Sequence, residues 1–210
     1  GGILAALKKG TIQTELSNLA RKRLENVSLR KEKIIGVNAY ANPAEARPDV
    51  AVKQPIEQSE VKMKEIIPLK PITLSSEFEV IRSMNLSWHN EEKAKRIGLA
   101  GIGELKAYKP YMDFAKEILA SGGLGYQAEE GISNTEDIQH FVKKSEVMHL
   151  IICGKEEDLH EELSALALAP HVRVYTIGDF SGHTKYQQID RSVNMIEWLT
   201  VLSSTQEVEA

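Results

Sequence analysis

The sequence predicts an α/β fold, a five-stranded parallel sheet with helices on both faces, over residues 76–210. From Arg96 onward, short apolar runs alternate with segments of helical periodicity. The apolar runs are short and uninterrupted, as is typical of parallel strands that are buried on both faces. The chain is 42% hydrophobic, which suits a packed core, and its one cysteine, Cys153, excludes an internal disulfide framework.

Bulk composition limits the possible functions. The 210 residues suffice for one domain with extensions or for two small domains. The net charge of −4 and the pI near 5.9 give no indication of nucleic-acid binding. No apolar run approaches the roughly 20 residues that span a bilayer, so no membrane association is expected. The start of the chain lacks the pattern of a signal peptide, and its missing initiator Met suggests a fragment or a processed chain. The expected location is the cytoplasm.

The charge is divided unevenly along the chain. Residues 1–75 carry 13 Lys/Arg and 8 Asp/Glu, whereas residues 76–210 carry 13 and 22. This asymmetry predicts two physically different segments. A basic patch is most often a solvated face, so it does not by itself indicate a partner.

Residues 1–40 are predicted to hold two helices and one strand. The first helix stops at Gly10, and Thr11 is expected to cap the second. Residues 33–40, "KIIGVNAY", have the composition of a short strand. Because two helices and one strand cannot enclose a core, this segment is expected to be the tail of a larger domain. The apolar residues with helical spacing are Ile3, Leu4, Leu7, Ile12, Leu16, Leu19, Ala20 and Leu24.

Residues 41–75 are predicted to form an extended linker. Five of the seven prolines fall in this window, and proline is excluded from helix interiors and central strands. Apolar residues recur between the prolines, so we expect the linker to lie along a surface with buried apolar side chains. A disordered tether is the alternative. The prolines are Pro43, Pro48, Pro55, Pro68 and Pro71.

The α/β segment begins with a helix whose capping signature is Ser75 or Ser76, and whose face carries Phe78, Ile81 and Met84. Strands and helices then alternate, and the first strand is expected to be central in the sheet. The predicted strands are 96–102, 124–129, 147–154, 171–178 and a weak one at 187–193. The predicted helices are 108–123, 134–145, 160–169 and 194–204.

The first strand ends in the glycine pair of "RIGLAGIGELKAYKP", at the edge where open α/β sheets bind ligands. Gly101 and Gly103 fit a dinucleotide loop, but Lys106 occupies the third glycine position. The acidic residue expected after the second strand is available only as Glu129 or Glu130. The sequence contains no P-loop. A phosphoacceptor aspartate is also missing, because residues 153–155, Cys-Gly-Lys, follow the third strand.

The order of elements resembles the C-terminal part of methylmalonyl-CoA mutases, from Gly1 to about Leu202. The segments that carry the resemblance are "GGILAALKKG", "KIIGVNAYANPAE", the Pro-rich linker, "FEVIR" and "FAKEILASGG". The resemblance implies that residues 1–40 are the tail of a substrate (β/α)8 barrel. It also implies that residues 76–210, after the linker 41–75, form a flavodoxin-like domain similar to a cobalamin-binding domain.

In family members that bind adenosylcobalamin, the first strand leads into D-x-H-x-x-G, whose His ligates cobalt and whose Asp orients it. This sequence has Leu105, Ala107 and Pro110 at those positions. The family's Ser-rich turn after the third strand is here residues 154–157, Gly-Lys-Glu-Glu, and Gly178 is followed by an aspartate. The resemblance therefore implies no catalytic, cofactor-binding or metal-ligating residue in this chain. Leu105 and Pro110 are expected to fill and stiffen the loop.

The departures resemble the small, non-catalytic subunit of heterodimeric methylmalonyl-CoA mutase, the isomerase of methylmalonyl-CoA and succinyl-CoA in propionate metabolism. That resemblance implies a catalytic large subunit as partner, with adenosylcobalamin bound there and none bound by this chain. Two alternatives remain open from the sequence. The chain could be a cobalamin-binding module that acts without a His ligand, or a flavodoxin-like protein-interaction domain.

The other polar candidates are weak. No histidine pairs with Cys153 at a spacing known for nucleophilic catalysis, and no His/Cys/Asp cluster has zinc spacing. His140 and His149 are predicted to be surface or satisfied core residues, and His160 and His171 are predicted to be capping or solvent-exposed residues. His183 lies in the most loop-like segment, and the two tryptophans, Trp88 and Trp198, are predicted to be packing anchors.

Overall fold

The computed structural model describes residues 2–45, 66–69, 71–86, 96–159, 163–180 and 185–204. The helices are α1 (Ile3–Lys9), α2 (Thr11–Ser28), α3 (Ser76–Leu86), α4 (Leu105–Ser121), α5 (Thr135–Ser145) and α6 (Met195–Ser204). The strands are β1 (Ile97–Ile102), β2 (Gln127–Ile132), β3 (His149–Lys155), β4 (Arg173–Asp179) and β5 (Gln187–Gln188). Short 3-10 turns lie at Glu156–Asp158 and Leu163–Ala165.

The five strands form one parallel sheet in the order β2-β1-β3-β4-β5. The predicted α/β fold is confirmed. β1 is an interior strand, but the middle of the sheet is β3, so the expectation of a central first strand is only partly right. β1 and β3 pair from Ile97 opposite His149 to Gly101 opposite Cys153.

The core lies on both faces of the sheet, because alternate residues of the inner strands point to opposite sides. On one face, α3, α4 and α6 cover side chains such as Leu99 and Ile151. On the other face, α5 and the 3-10 turn at Leu163–Ala165 cover Ala100 and Ile152. Every residue of β1 is buried, as its uninterrupted apolar sequence predicts.

Residues 33–40 do not form the predicted strand. They form a turn organised by the buried Asn38. Its side-chain oxygen accepts from the N–H of Ile34 at 2.7 Å, and its amide nitrogen donates to the carbonyls of Val27 at 2.7 Å and Glu32 at 2.9 Å. Because one side chain satisfies three backbone groups, this segment needs no neighbouring strand.

Two helix predictions are also wrong in detail. Within the described part of residues 160–169, only the 3-10 turn Leu163–Ala165 is helical. Pro170 comes directly after the segment 160–169, and the residue before a proline is driven away from helical geometry. Thr11 does not cap α2 but lies inside it, since Gly10 is the N-cap in the left-handed conformation with φ 76°.

The face predicted for α3 is shifted by one position at its end. Phe78 and Ile81 are buried as expected, whereas Met84 is 47% exposed and Asn85 and Leu86 are buried instead. Asn85 donates to the carbonyl of Gly122 at 2.8 Å, which ties the end of α3 to the end of α4.

The linker prediction is tested only at residues 41–45, 66–69 and 71–75, and the rest of it lies outside the described residues. These pieces contain no helix or strand, as predicted. Ile67, Leu69 and Ile72 are 69%, 48% and 51% exposed, whereas Ala41 is buried and Leu74 packs against the core, so the expected burial of apolar side chains is only partly right. The carbonyl of Ile67 accepts a 2.8 Å hydrogen bond from Gln13 of α2.

Arg82 of α3 holds the segment after α2 against the α/β unit. Its guanidinium donates to the carbonyls of Gly36 at 3.1 Å, Val37 at 3.2 Å and Ser121 at 3.2 Å, and it pairs with Glu45 at 3.0 Å. The N-terminal segment is thereby attached to the C-terminal end of α4. The division into 1–40, 41–75 and 76–210 stays a prediction.

We predict that His149 makes the fold sensitive to mild acid. Burial, with a smaller contribution from the charge of Arg173, lowers the pKa of His149 from 6.5 to about 4. At a pH between these two pKa values, His149 binds a proton in the unfolded chain but not in the folded chain. The free energy of unfolding should therefore fall by about 3 kcal/mol as the pH drops from 7 to 4.

Urea unfolding at several pH values measures this dependence. His149→Phe, which keeps a ring beside Tyr175, should lose that part of the pH dependence. His171→Phe, at an exposed position, should keep it. Equal pH slopes for the wild type and His149→Phe would show that the prediction is wrong.

Candidate functional site

The exit of β1 is a short turn that leads at once into α4. Gly103 has φ 78°, in the region that favours glycine, and its N–H donates to the carbonyl of Ile132 at 2.8 Å. Glu104 is extended and caps α4 without a side-chain hydrogen bond. The helix begins at Leu105, three residues before the predicted start. The turn therefore lies at the carboxyl edge of the sheet, as the sequence indicates.

The three positions that depart from the cobalamin motif all lie within α4. Leu105 is 59% exposed, so the expectation that it fills the loop is wrong. Ala107 is half-buried and has no ligand atom, and Pro110 lies exposed inside the helix rather than in a loop. Pro110 cannot donate the helical hydrogen bond to the carbonyl four residues earlier, and the helix continues past it.

The 3-10 turn Glu156–Asp158 closes the space beside the β1 turn. A Cβ atom on Gly103 would lie 2.7 Å from the Cβ of Asp158, so the two turns are in direct contact. Charged side chains surround this contact, and they pair locally: Lys106 with Glu104 at 2.9 Å, and Lys155 with Glu157 at 3.2 Å. Their partner carboxylates raise the pKa of both lysines. The charged side chains at this edge therefore form short-range ion pairs with one another.

Two glycines, Gly154 near the end of β3 and Gly178 near the end of β4, serve backbone packing. A Cβ on Gly178, whose φ is 141°, would lie 1.8 Å from the carbonyl oxygen of Gly154. A Cβ on Gly154, with φ 143°, would lie 3.0 Å from the carbonyl oxygen of Ile102. These close approaches explain why both positions are occupied by glycine, without the need for a bound ligand.

Gly101 has a similar explanation. A Cβ there would lie 2.7 Å from the ring of Tyr108, which folds back from α4 over β1. The Tyr108 hydroxyl donates to Glu130 at 3.0 Å, and Lys116 lies 3.5 Å from the same carboxylate. Burial is the larger cause, and this hydrogen bond a smaller cause, of the raised pKa of Tyr108. Glu130 is thus engaged by α4, and Glu129 is exposed on β2.

The remaining candidates are dispersed. Cys153 and His149 are buried in β3, and burial raises the pKa of the Cys153 thiol to about 12, which makes it a poor nucleophile. His140 and His171 are exposed. Trp198 is buried edge-on against Tyr175, as expected of a packing anchor. The predictions for Trp88, His160 and His183 concern positions outside the described residues.

Among the described residues, no three His, Cys, Asp or Glu side chains converge in a way that could hold a metal ion. In the same part of the chain, every helix is too short or too polar to cross a bilayer. Sequence reasoning missed the contact of Asp158 with Gly103 and the Tyr108–Glu130 pair. Neither contact has a local sequence signal, because each joins elements that are distant along the chain.

Comparison with known families supports the resemblance seen in the sequence. Residues 1–79 match the sequence model of the methylmalonyl-CoA mutase family, described as methylmalonyl-CoA mutase. The match covers α1, α2, the linker and the start of α3, and it supports a relation to that family. It does not extend over the sheet. Comparison with curated proteins gives no match.

One similar solved structure is a natural red-emitting luciferase from Phrixothrix hirtus. It is 8% identical, with a TM-score of 0.31, over 63% of this chain and 30% of the luciferase. This chain thus spans less than a third of the luciferase. A likeness this weak carries no argument about function.

We predict that Gly178→Ala strongly destabilises the fold. The new methyl group would collide with the Gly154 carbonyl, and φ 141° is strained for alanine. The expected loss in the free energy of unfolding is about 3 kcal/mol. Gly131→Ala is the control, because Gly131 also has a positive φ, 77°, but nothing lies within 4 Å of its Cβ position. That variant should lose about 1 kcal/mol. Equal losses in urea unfolding would contradict the packing role of Gly178.

Proposed function

We propose that this chain is a non-catalytic part of a methylmalonyl-CoA mutase assembly, in which a large subunit binds adenosylcobalamin and carries out the isomerisation. The family match over residues 1–79 supports the assignment of the chain to such an assembly. The observation that carries the non-catalytic role is the chemistry of the β1 exit, where the cobalt-ligating motif would lie.

The residues at this exit do not fit cobalamin. Ala107 offers no imidazole to cobalt, and Leu105 offers no carboxylate to orient one. Asp158 packs against Gly103, so the turn after β3 occupies the space beside the β1 exit. Burying the ion pairs of Lys155 and its neighbours beneath a cofactor tail would require their desolvation, which is unfavourable.

A structural role for the domain agrees with its packing. Asp158, in the turn after β3, packs against Gly103 at the β1 exit, and Gly154 and Gly178 bring the backbones of β1, β3 and β4 close together near the ends of these strands. A domain whose task is to fold and to hold a partner gains from such closure, whereas a cofactor site must stay open. The match over residues 1–79 also disfavours a free-standing flavodoxin-like interaction domain, because such a domain needs no mutase-type segment before it.

We predict that adenosylcobalamin does not bind this chain with micromolar affinity. Isothermal titration calorimetry, together with the visible spectrum of the corrinoid, measures binding and cobalt ligation separately. Ala107→His should not restore tight binding, since the new imidazole would have no carboxylate at Leu105 to orient it. Micromolar binding by the unmodified chain would contradict the proposal and would favour a cobalamin module that acts without a His ligand.

The subunit role has its own test. The full chain should co-elute in size-exclusion chromatography with a catalytic large subunit of methylmalonyl-CoA mutase. Mutase activity of the mixture should be unchanged by Ala107→Gly, because this chain supplies no cobalt ligand. Failure to form the complex would contradict the subunit role, whatever the result of the cobalamin titration.

A further inference from the structure

A cleft lies between the segment that follows α2 and the outer face of α4. Its volume is about 430 Å³, within the range of small-molecule sites. Positions 110, 113, 114 and 117 form one stripe along α4 and make one wall. The lining residues are Leu29, Arg30, Lys33, Pro110, Asp113, Phe114, Glu117 and Arg191.

Arg30 is the most buried cation of this cleft, with its side chain 15% exposed. The backbone of Arg30 has φ 57°, which ends α2 and directs the side chain to α4. Its guanidinium pairs with Glu117 at 2.7 Å and lies 5.6 Å from the ring centre of Phe114. Its Nε–H is buried and has no acceptor among the residues that the structure describes. A buried donor left without an acceptor is unfavourable, and an oxygen of a ligand would satisfy it only after the Arg30 side chain had turned toward the cleft.

The charges of the cleft are only partly balanced. Both carboxylates are engaged, Glu117 by Arg30 and Asp113 by Lys109. Lys33 and Arg191 are exposed, and neither forms an ion pair within the described part of the chain. Two cations without counter-charges therefore line the same cleft as the buried donor of Arg30.

We propose that this cleft binds a phosphate monoester with a small apolar body. A phosphate monoester carries close to two negative charges at neutral pH, which matches Lys33 and Arg191. Its oxygens suit the planar guanidinium donors of arginine. The apolar body would lie against Pro110 and Phe114. This site is separate from the β1 exit, and it stands whether or not the chain joins a mutase.

Phenyl phosphate is a suitable probe, and benzoate and inorganic phosphate are the comparison ligands. Titration of the full chain, followed by amide chemical shifts, should show saturable binding of phenyl phosphate with shifts at residues 29–33, 110–117 and 191. Benzoate, with one negative charge on the same ring, should bind at least about fivefold more weakly. Inorganic phosphate, which lacks the ring, should also bind more weakly.

Three variants locate the site. Lys33→Gln and Arg191→Gln should each weaken phenyl phosphate binding about fivefold. Lys31→Gln is the matched control, because Lys31 is exposed and nearby but does not line the cleft. The affinity of this variant for phenyl phosphate should equal that of the wild type. All three positions are exposed, so the unfolding midpoints should agree. Equal affinity for benzoate, an equal effect of Lys31→Gln, or shifts confined to the β1 exit would overturn the proposal.

Discussion

The pairing of β1 with β3 is the constraint on which the rest of the structure depends. Both strands are buried along almost their whole length, so each face of the sheet must be covered by another element. Buried strands leave no polar face for solvent, and their backbone groups must be satisfied by neighbouring strands. The places of α4 and α6 on one side and α5 on the other follow from this requirement. The docked N-terminal segment is a further layer, held through Arg82.

The sheet was predictable because its signal is local and repeated. β1, β3 and β4 are apolar runs bounded by glycine or charge, and α5 is capped by Asn134, whose side chain accepts from the N–H of Asp137 at 2.8 Å. The prediction failed where a single tertiary contact decides the conformation. The side chain of Asn38 stabilises a turn in a segment whose composition is that of a strand. Its three hydrogen bonds leave no periodic pattern in the sequence from which they could be predicted.

The candidate site was predictable in position but not in shape. The glycine pair located the β1 exit, and the residue types at Leu105 and Ala107 were sufficient to exclude a cobalt ligand there. The contact of Asp158 with Gly103 could not be foreseen, because it depends on the geometry of a 3-10 turn that follows another strand. The cleft around Arg30 was missed for the same reason, since its walls come from three separate parts of the chain.

The two edge strands of the sheet, β2 and β5, each have a feature that discourages pairing with a further strand. β5 is only two residues long, and the exposed β2 carries two adjacent carboxylates, Glu129 and Glu130. Charge and brevity at an edge discourage the addition of a foreign strand. Growth of this sheet into a larger one, and with it fibrous self-association, is therefore disfavoured. This arrangement favours assembly through helix surfaces and connecting segments, where side-chain shape rather than backbone pairing selects the neighbour.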